Sequence, residues 1–126
     1  MSLFVSSLNS GSNGNCYYIG NAEEAVLIDA GISSRETERR LKRQELSIRK
    51  VKGIFVTHEH SDHVGGLRKL AKKHMLPVYM THATRKETRI EMRDIQVRHF
   101  IPHEDILVGS LRVTPFPIQH DAGDPH

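Results

Sequence analysis

The amino-acid sequence predicts an α/β domain in which strands and helices pack as layers. Three observations predict it. Apolar runs of strand length alternate along the chain with polar segments of helical character. The length, 126 residues, fits a single domain with a modest core. No internal repeat, low-complexity tract or linker interrupts the alternation.

Leu3-Phe4-Val5 reads as a short first strand, followed by the polar, Gly-rich stretch from Asn9 to Asn15. Cys16-Tyr17-Tyr18-Ile19 and Ala25-Val26-Leu27-Ile28 read as paired strands, with Gly20-Asn21 turning the chain between them. Ser33-Ser34-Arg35-Glu36 has capping-box spacing, so a helix is expected from there to about Arg43. Val51 to Thr57 is apolar enough for a buried strand, and Val64 to His74 follows as a helix. Pro77-Val78-Tyr79-Met80 is a further short strand, and His82 to Arg89 a further helix. Ile106-Leu107-Val108 and Leu111-Arg112-Val113-Thr114 form a hairpin across Gly109-Ser110.

Charge and cysteine content narrow the class. Eighteen Lys plus Arg stand against 15 Asp plus Glu, a net charge of +3, which neither demands nor excludes an anionic polymer as partner. The single Cys16 cannot form an internal disulfide and suits a reducing compartment. The start, Met1 to Ser7, has no basic lead and no long apolar core, and no stretch approaches the roughly 20 apolar residues that cross a bilayer. A soluble cytoplasmic protein is expected, without membrane association.

The chemistry concentrates in Thr57-His58-Glu59-His60-Ser61-Asp62-His63, directly after the apolar run Val51 to Val56. Imidazole is a common ligand for zinc, and a carboxylate extends the range towards manganese and iron. His58 and His60, two apart in an extended segment, point to the same side of the chain. Asp62 and His63 fall where the chain turns into the next helix, within reach of a second metal position. Asp62 also suits the N-cap before Val64, a role compatible with the first. Glu59 and Ser61 alternate away from the ligand side and read as solvated or supporting residues. Isolated histidines are usually surface or core groups, whereas three histidines and an aspartate at this spacing point to a metal site.

Other histidines carry a blander reading. His99 and His103 read as loop residues, His74 and His82 as surface groups at helix ends, and His126 is terminal. Ser10 to Asn15 lacks the G-x-x-x-x-G-K-[ST] pattern of a nucleotide-binding loop and reads as a flexible hairpin turn at the substrate rim. Basic residues cluster at Arg35-Arg39-Arg40-Lys42-Arg43, at Arg68-Lys69-Lys72-Lys73 and at Arg85-Lys86-Arg89. Such helix faces are usually solvated, and Glu36, Glu38 and Glu45 dilute the first. A nucleic-acid backbone contact stays open, without the aromatic interleaving that single-strand stacking uses.

The H-x-H-x-D-H run resembles the signature of the metallo-β-lactamase-fold hydrolases. Ser7 to Ile19, Leu27-Ile28-Asp29-Ala30-Gly31 and His120-Asp121-Ala122-Gly123-Asp124-Pro125 resemble, in order, motifs of its YycJ/WalJ-like subgroup. The resemblance implies an αββα sandwich, of which residues 1–126 look like the N-terminal half, one mixed sheet with flanking helices, incomplete at the C-terminus. It implies a first metal position made by His58, His60 and His120, His120 being selected over His99 and His103 by the resemblance rather than by spacing. A second would draw on Asp62 and His63, with no counterpart here for the family's later bridging Asp and final His. Asp29 would orient the ligand loop without binding metal; as a residue of sequence alone it serves equally as a turn residue before Gly31.

The activity so implied is hydrolysis by a metal-activated water, with zinc or manganese and up to two ions in the intact fold. Asp62 would orient or deprotonate that water. The subgroup implies a nuclease, a 5′-to-3′ exonuclease on DNA, with nucleic acid as substrate. Two other classes remain. A thioester or β-lactam hydrolase would use nearly the same ligands. A non-catalytic metal-binding half-domain would instead self-associate through an exposed sheet face.

Overall fold

A mixed sheet of six strands organises the computed structural model, which describes residues 2–11, 14–58, 66–88 and 91–117. In spatial order the strands are β1 (Phe4–Asn9), β2 (Cys16–Gly20), β3 (Ala25–Ile28), β4 (Val51–Phe55), β5 (Val78–Met80) and β6 (Val97–His99). The first three pair antiparallel, and β3 to β6 run parallel. Parallel neighbours need crossovers. α1 (Ser34–Arg43) lies in the first, α2 (Gly66–His74) in the second and α3 (His82–Glu87) in the third. A separate antiparallel hairpin joins β7 (Ile106–Val108) to β8 (Leu111–Val113).

Strand alternation divides the core into two layers. Leu27, Ile54, Val78 and Met80 point to one face, against Leu41 of α1 and Leu67 and Leu70 of α2. Val26, Phe55 and Tyr79 point to the other, where Phe100 and the hairpin residues Val108 and Leu111 cover them. The Phe55 and Tyr79 rings stack with centroids 4.4 Å apart. The centre of the second face is therefore covered by the chain itself and is not bare.

Several local readings change on pairing. β1 extends through Ser6, Ser7 and Asn9, because opposite β2 it has ladder partners that its polar composition does not advertise. Gly20 stays in the strand, opposite Ala25, and Asn21 makes the turn by accepting the backbone N–H of Glu23 and of Glu24, both at 2.8 Å. β6 is a strand where a loop was expected. Its three residues show no period of their own and are extended by pairing with β5, which puts His99 opposite Met80. His99 is thus the end of a strand and not a loop residue, while His103 does lie in a turn, at φ +70°.

Ser33 caps α1 as expected, its hydroxyl accepting from Glu36 N–H at 3.1 Å. Glu36 answers Arg40 instead of completing the box, at 2.9 Å. Arg40 continues to β1, donating to Leu8 O at 2.7 Å and Asn9 Oδ1 at 2.6 Å, so this member of the first basic cluster ties helix to sheet. His74 at the end of α2 is half-buried and meets Glu38 at 2.7 Å, while His82 opens α3 exposed. Among the described residues no helix is long and apolar enough to cross a membrane.

Cys16 faces the helix-side core with no exposed surface, and burial, with Asp29 nearby, pushes its thiol up to about 12. Only the thiolate reacts readily. Cys16 is expected to stay unmodified by Ellman's reagent at pH 8 and to titrate fully on denaturation. Rapid native labelling would contradict the packing.

Candidate metal centre

All four parallel strands deliver their carboxyl ends to one edge of the sheet, the edge at which open α/β sheets place ligands. Asp29 follows β3 there, and Thr57 and His58 follow β4. The two segments are bound together. Asp29 N–H donates to Phe55 O at 2.7 Å, Thr57 N–H donates to Asp29 Oδ1 at 2.8 Å, and Thr57 Oγ1–H donates to Asp29 Oδ2 at 2.8 Å. Thr57 Oγ1 also lies 2.9 Å from His58 Nδ1.

One order of protons satisfies all of these contacts. A threonine hydroxyl has one proton. With that proton on the Asp29 carboxylate, Oγ1 can only accept from His58, which therefore carries its hydrogen on Nδ1. In the neutral ring the lone pair then lies on Nε2, the form in which a hydrogen-bonded imidazole binds a metal. The described part of the centre fits a divalent cation on this ground.

Asp29 holds this position at φ +64° and is almost wholly buried, at 3% exposure. Left-handed backbone is costly for most residues and is tolerated best by Gly, Asn and Asp. The turn around it is clamped on both sides by glycine. A Cβ on Gly14 would stand 2.2 Å from Gly31 O, and one on Gly66 would stand 2.4 Å from Ile32 O. Gly31 N–H donates to Asn15 O at 2.9 Å, and Gly14 N–H to Gly11 O at 3.1 Å. The loop that reads as a flexible hairpin turn is thus packed backbone to backbone against the turn that carries Asp29.

Of the expected site residues, the structure brings together Asp29 and His58, through Thr57. His60, Asp62, His63 and His120 lie outside the described residues, as do Glu59 and Ser61. Among the described residues no three His, Cys, Asp or Glu side chains converge as a ligand set. Thr57 is the participant that sequence reading passed over; its signal was a hydroxyl directly between a buried strand and the first histidine.

A second contact at this edge was also not foreseen. The His82 and His99 rings stand 3.6 Å apart, brought together by the β5–β6 register. Burial, then His82 and Arg85, hold the His99 imidazole below its usual value. Beside Thr57 an apolar cavity of about 170 Å³ opens between Ile28, Phe55, Phe100, Val113 and Phe116.

Known proteins share both the sequence and the frame. An exodeoxyribonuclease YycJ of Bacillus anthracis is 41% identical over 99% of this chain and 48% of its own length. An exodeoxyribonuclease WalJ of Streptococcus pneumoniae serotype 2 (strain D39 / NCTC 7466) is 30% identical over 94% of this chain and 46% of its own. The chain thus spans about half the length of the curated relatives it matches. Among solved structures, MEM-A1, a subclass B3 metallo-beta-lactamase from a soil metagenome library, superposes with a TM-score of 0.74 at 19% identity. That superposition covers 99% of this chain and 55% of the other, and shows the same fold. Residues 10–124 match the metallo-beta-lactamase superfamily as a whole, and with the mixed sheet and His58 at its carboxyl edge, the chain belongs to that superfamily.

Proposed function

We propose that this chain carries the metal-binding half of a hydrolase that cleaves phosphodiester bonds in DNA, working in the cytoplasm with zinc or manganese. The observation that carries the metal half of this reading is the Asp29–Thr57–His58 chain, which presents Nε2 of the first histidine of the H-x-H-x-D-H run. The DNA half rests on similarity to the two exodeoxyribonucleases. In this reading His58, His60 and His120 hold the first ion, and Asp62 and His63 contribute to the second position. Asp62 orients the attacking water and receives its proton. Asp29, through Thr57, keeps His58 in its binding tautomer. A divalent cation there would acidify the water and offset the charge that builds on the phosphoryl oxygens. Attack from the 5′ end is the polarity we assign.

Elemental analysis of the purified chain and of the His58→Ala/His60→Ala variant tests the centre. About one zinc or manganese per chain, lost in the double variant, is the expected result. Wild-type protein that stays metal-free after reconstitution would refute the three-histidine site. A second reading draws on the chain's matching only about half of each relative: on its own it binds metal without turnover. Val5, Leu107 and Phe116 remain exposed on it as surfaces for association. Metal binding without DNA cleavage, together with oligomers in sedimentation, would favour that reading.

A further inference from the structure

A basic concavity lies on the helix side of the sheet, between α1 and α2. It is a cleft of about 490 Å³ whose walls carry Arg35, Arg68, Lys69, Lys72 and Lys73 against one carboxylate, Glu38. Glu38 is already engaged, by Lys73 at 2.9 Å and His74 at 2.7 Å. Arg35, Arg68, Lys69 and Lys72 form no salt bridge among the described residues. We propose that this cleft holds the phosphate backbone of a DNA strand as it leaves the metal edge, an inference that rests on the nuclease reading above.

Three observations support it beyond charge. First, Arg68 Nε is buried and has no hydrogen-bond partner among the described residues. A buried cationic group left without a partner is costly, and a phosphate beside Arg68, which lines the cleft, would offset its charge. The Glu91 carboxyl, held low first by the backbone N–H of Arg93, also feels the charge of Arg68, but Nε itself makes no bond to it. Second, the cleft is aimed at the site. α1 follows β3 and α2 follows β4, whose carboxyl ends carry Asp29 and His58, so Arg35, Arg68 and Lys69 stand at the metal end and Lys72 and Lys73 a turn further on. Third, the spacing suits a polymer. The five residues of helix from Arg68 to Lys73 rise about 7.5 Å, close to the separation of successive phosphates along a strand. Among the described residues no aromatic side chain lines the cleft, so the contact is to the backbone and not to stacked bases.

The test is the salt dependence of DNA binding by the metal-loaded protein, read by fluorescence anisotropy of a labelled duplex between about 50 and 250 mM KCl. Arg35→Gln/Lys69→Gln/Lys72→Gln changes three exposed side chains. Arg43→Gln/Lys50→Gln/Lys86→Gln removes the same charge from exposed positions elsewhere. The cleft variant is expected to lose at least about tenfold in affinity near 100 mM salt, its log–log salt slope falling by about 2–3. The control should keep most of both. Equal losses in the two variants, or an unchanged slope in the cleft variant, would overturn the cleft while leaving the nuclease reading intact. Wild-type protein that neither binds nor cleaves DNA would remove both. Binding confined to RNA would overturn the assignment to DNA.

Discussion

Asp29→Asn is expected to lower metal affinity by about 10–100-fold while barely changing the melting temperature. The substitution is nearly isosteric, and asparagine tolerates the φ of +64° at this position. Its carbonyl can still accept from Thr57 N–H. Its amide, however, must face Thr57 Oγ1, where Oδ2 now accepts the hydroxyl proton at 2.8 Å. The hydroxyl then becomes the acceptor of that bond and turns its own proton towards His58 Nδ1, 2.9 Å away. The imidazole is driven to the Nε2–H tautomer, and the lone pair leaves the nitrogen that the proposed centre uses. An aspartate-to-asparagine change behind a catalytic histidine acts by the same logic in serine proteases. Competition titration with a zinc indicator reads the affinity, and the ¹⁵N shifts of His58 read the tautomer. Unchanged metal affinity with the tautomer flipped would mean that His58 is not a ligand. Thr57→Val, which removes the relay, should reproduce the loss, and Thr57→Ser should restore it.

Gly14→Ala should destabilise the protein by about 3 kcal/mol or more. A side chain at φ +112° carries backbone strain of about 1–2 kcal/mol, and the new Cβ would sit 2.2 Å from Gly31 O, a backbone atom that cannot step aside. Overpacking of this kind costs about 1–3 kcal/mol. At roughly 4 °C per kcal/mol the melting temperature should fall by about 12 °C. Gly11→Ala separates the two contributions, because Gly11 has φ +111° but nothing within 4 Å of its Cβ position. It should cost only the strain. If the two variants melt together, the backbone contact between residues 14 and 31 is not what positions the Asp29 turn.

The residues that make the elements were legible in sequence wherever they carried their own local signal. Ser33 announced the start of α1, the Val51 to Val56 run announced the central strand, and Gly109-Ser110 announced the hairpin. β6 carried no such signal, because three residues become a strand only when β5 offers them a partner. The same division holds at the site. The composition and spacing of residues 57–63 were sufficient to name a metal-binding chemistry, since ligand type and alternation are local properties of the chain. That Asp29 should reach across to Thr57, and so decide which nitrogen of His58 is protonated, depended on β3 lying beside β4. Gly14 lay within the loop Ser10 to Asn15 and Gly66 within the helix expected from Val64, and they became the clamp around Asp29 only when the chain brought them against Gly31 and Ile32. Local chemistry is written in the order of residues. Proton direction and close backbone contact are properties of pairs far apart in that order, and only the folded sheet brings those pairs together.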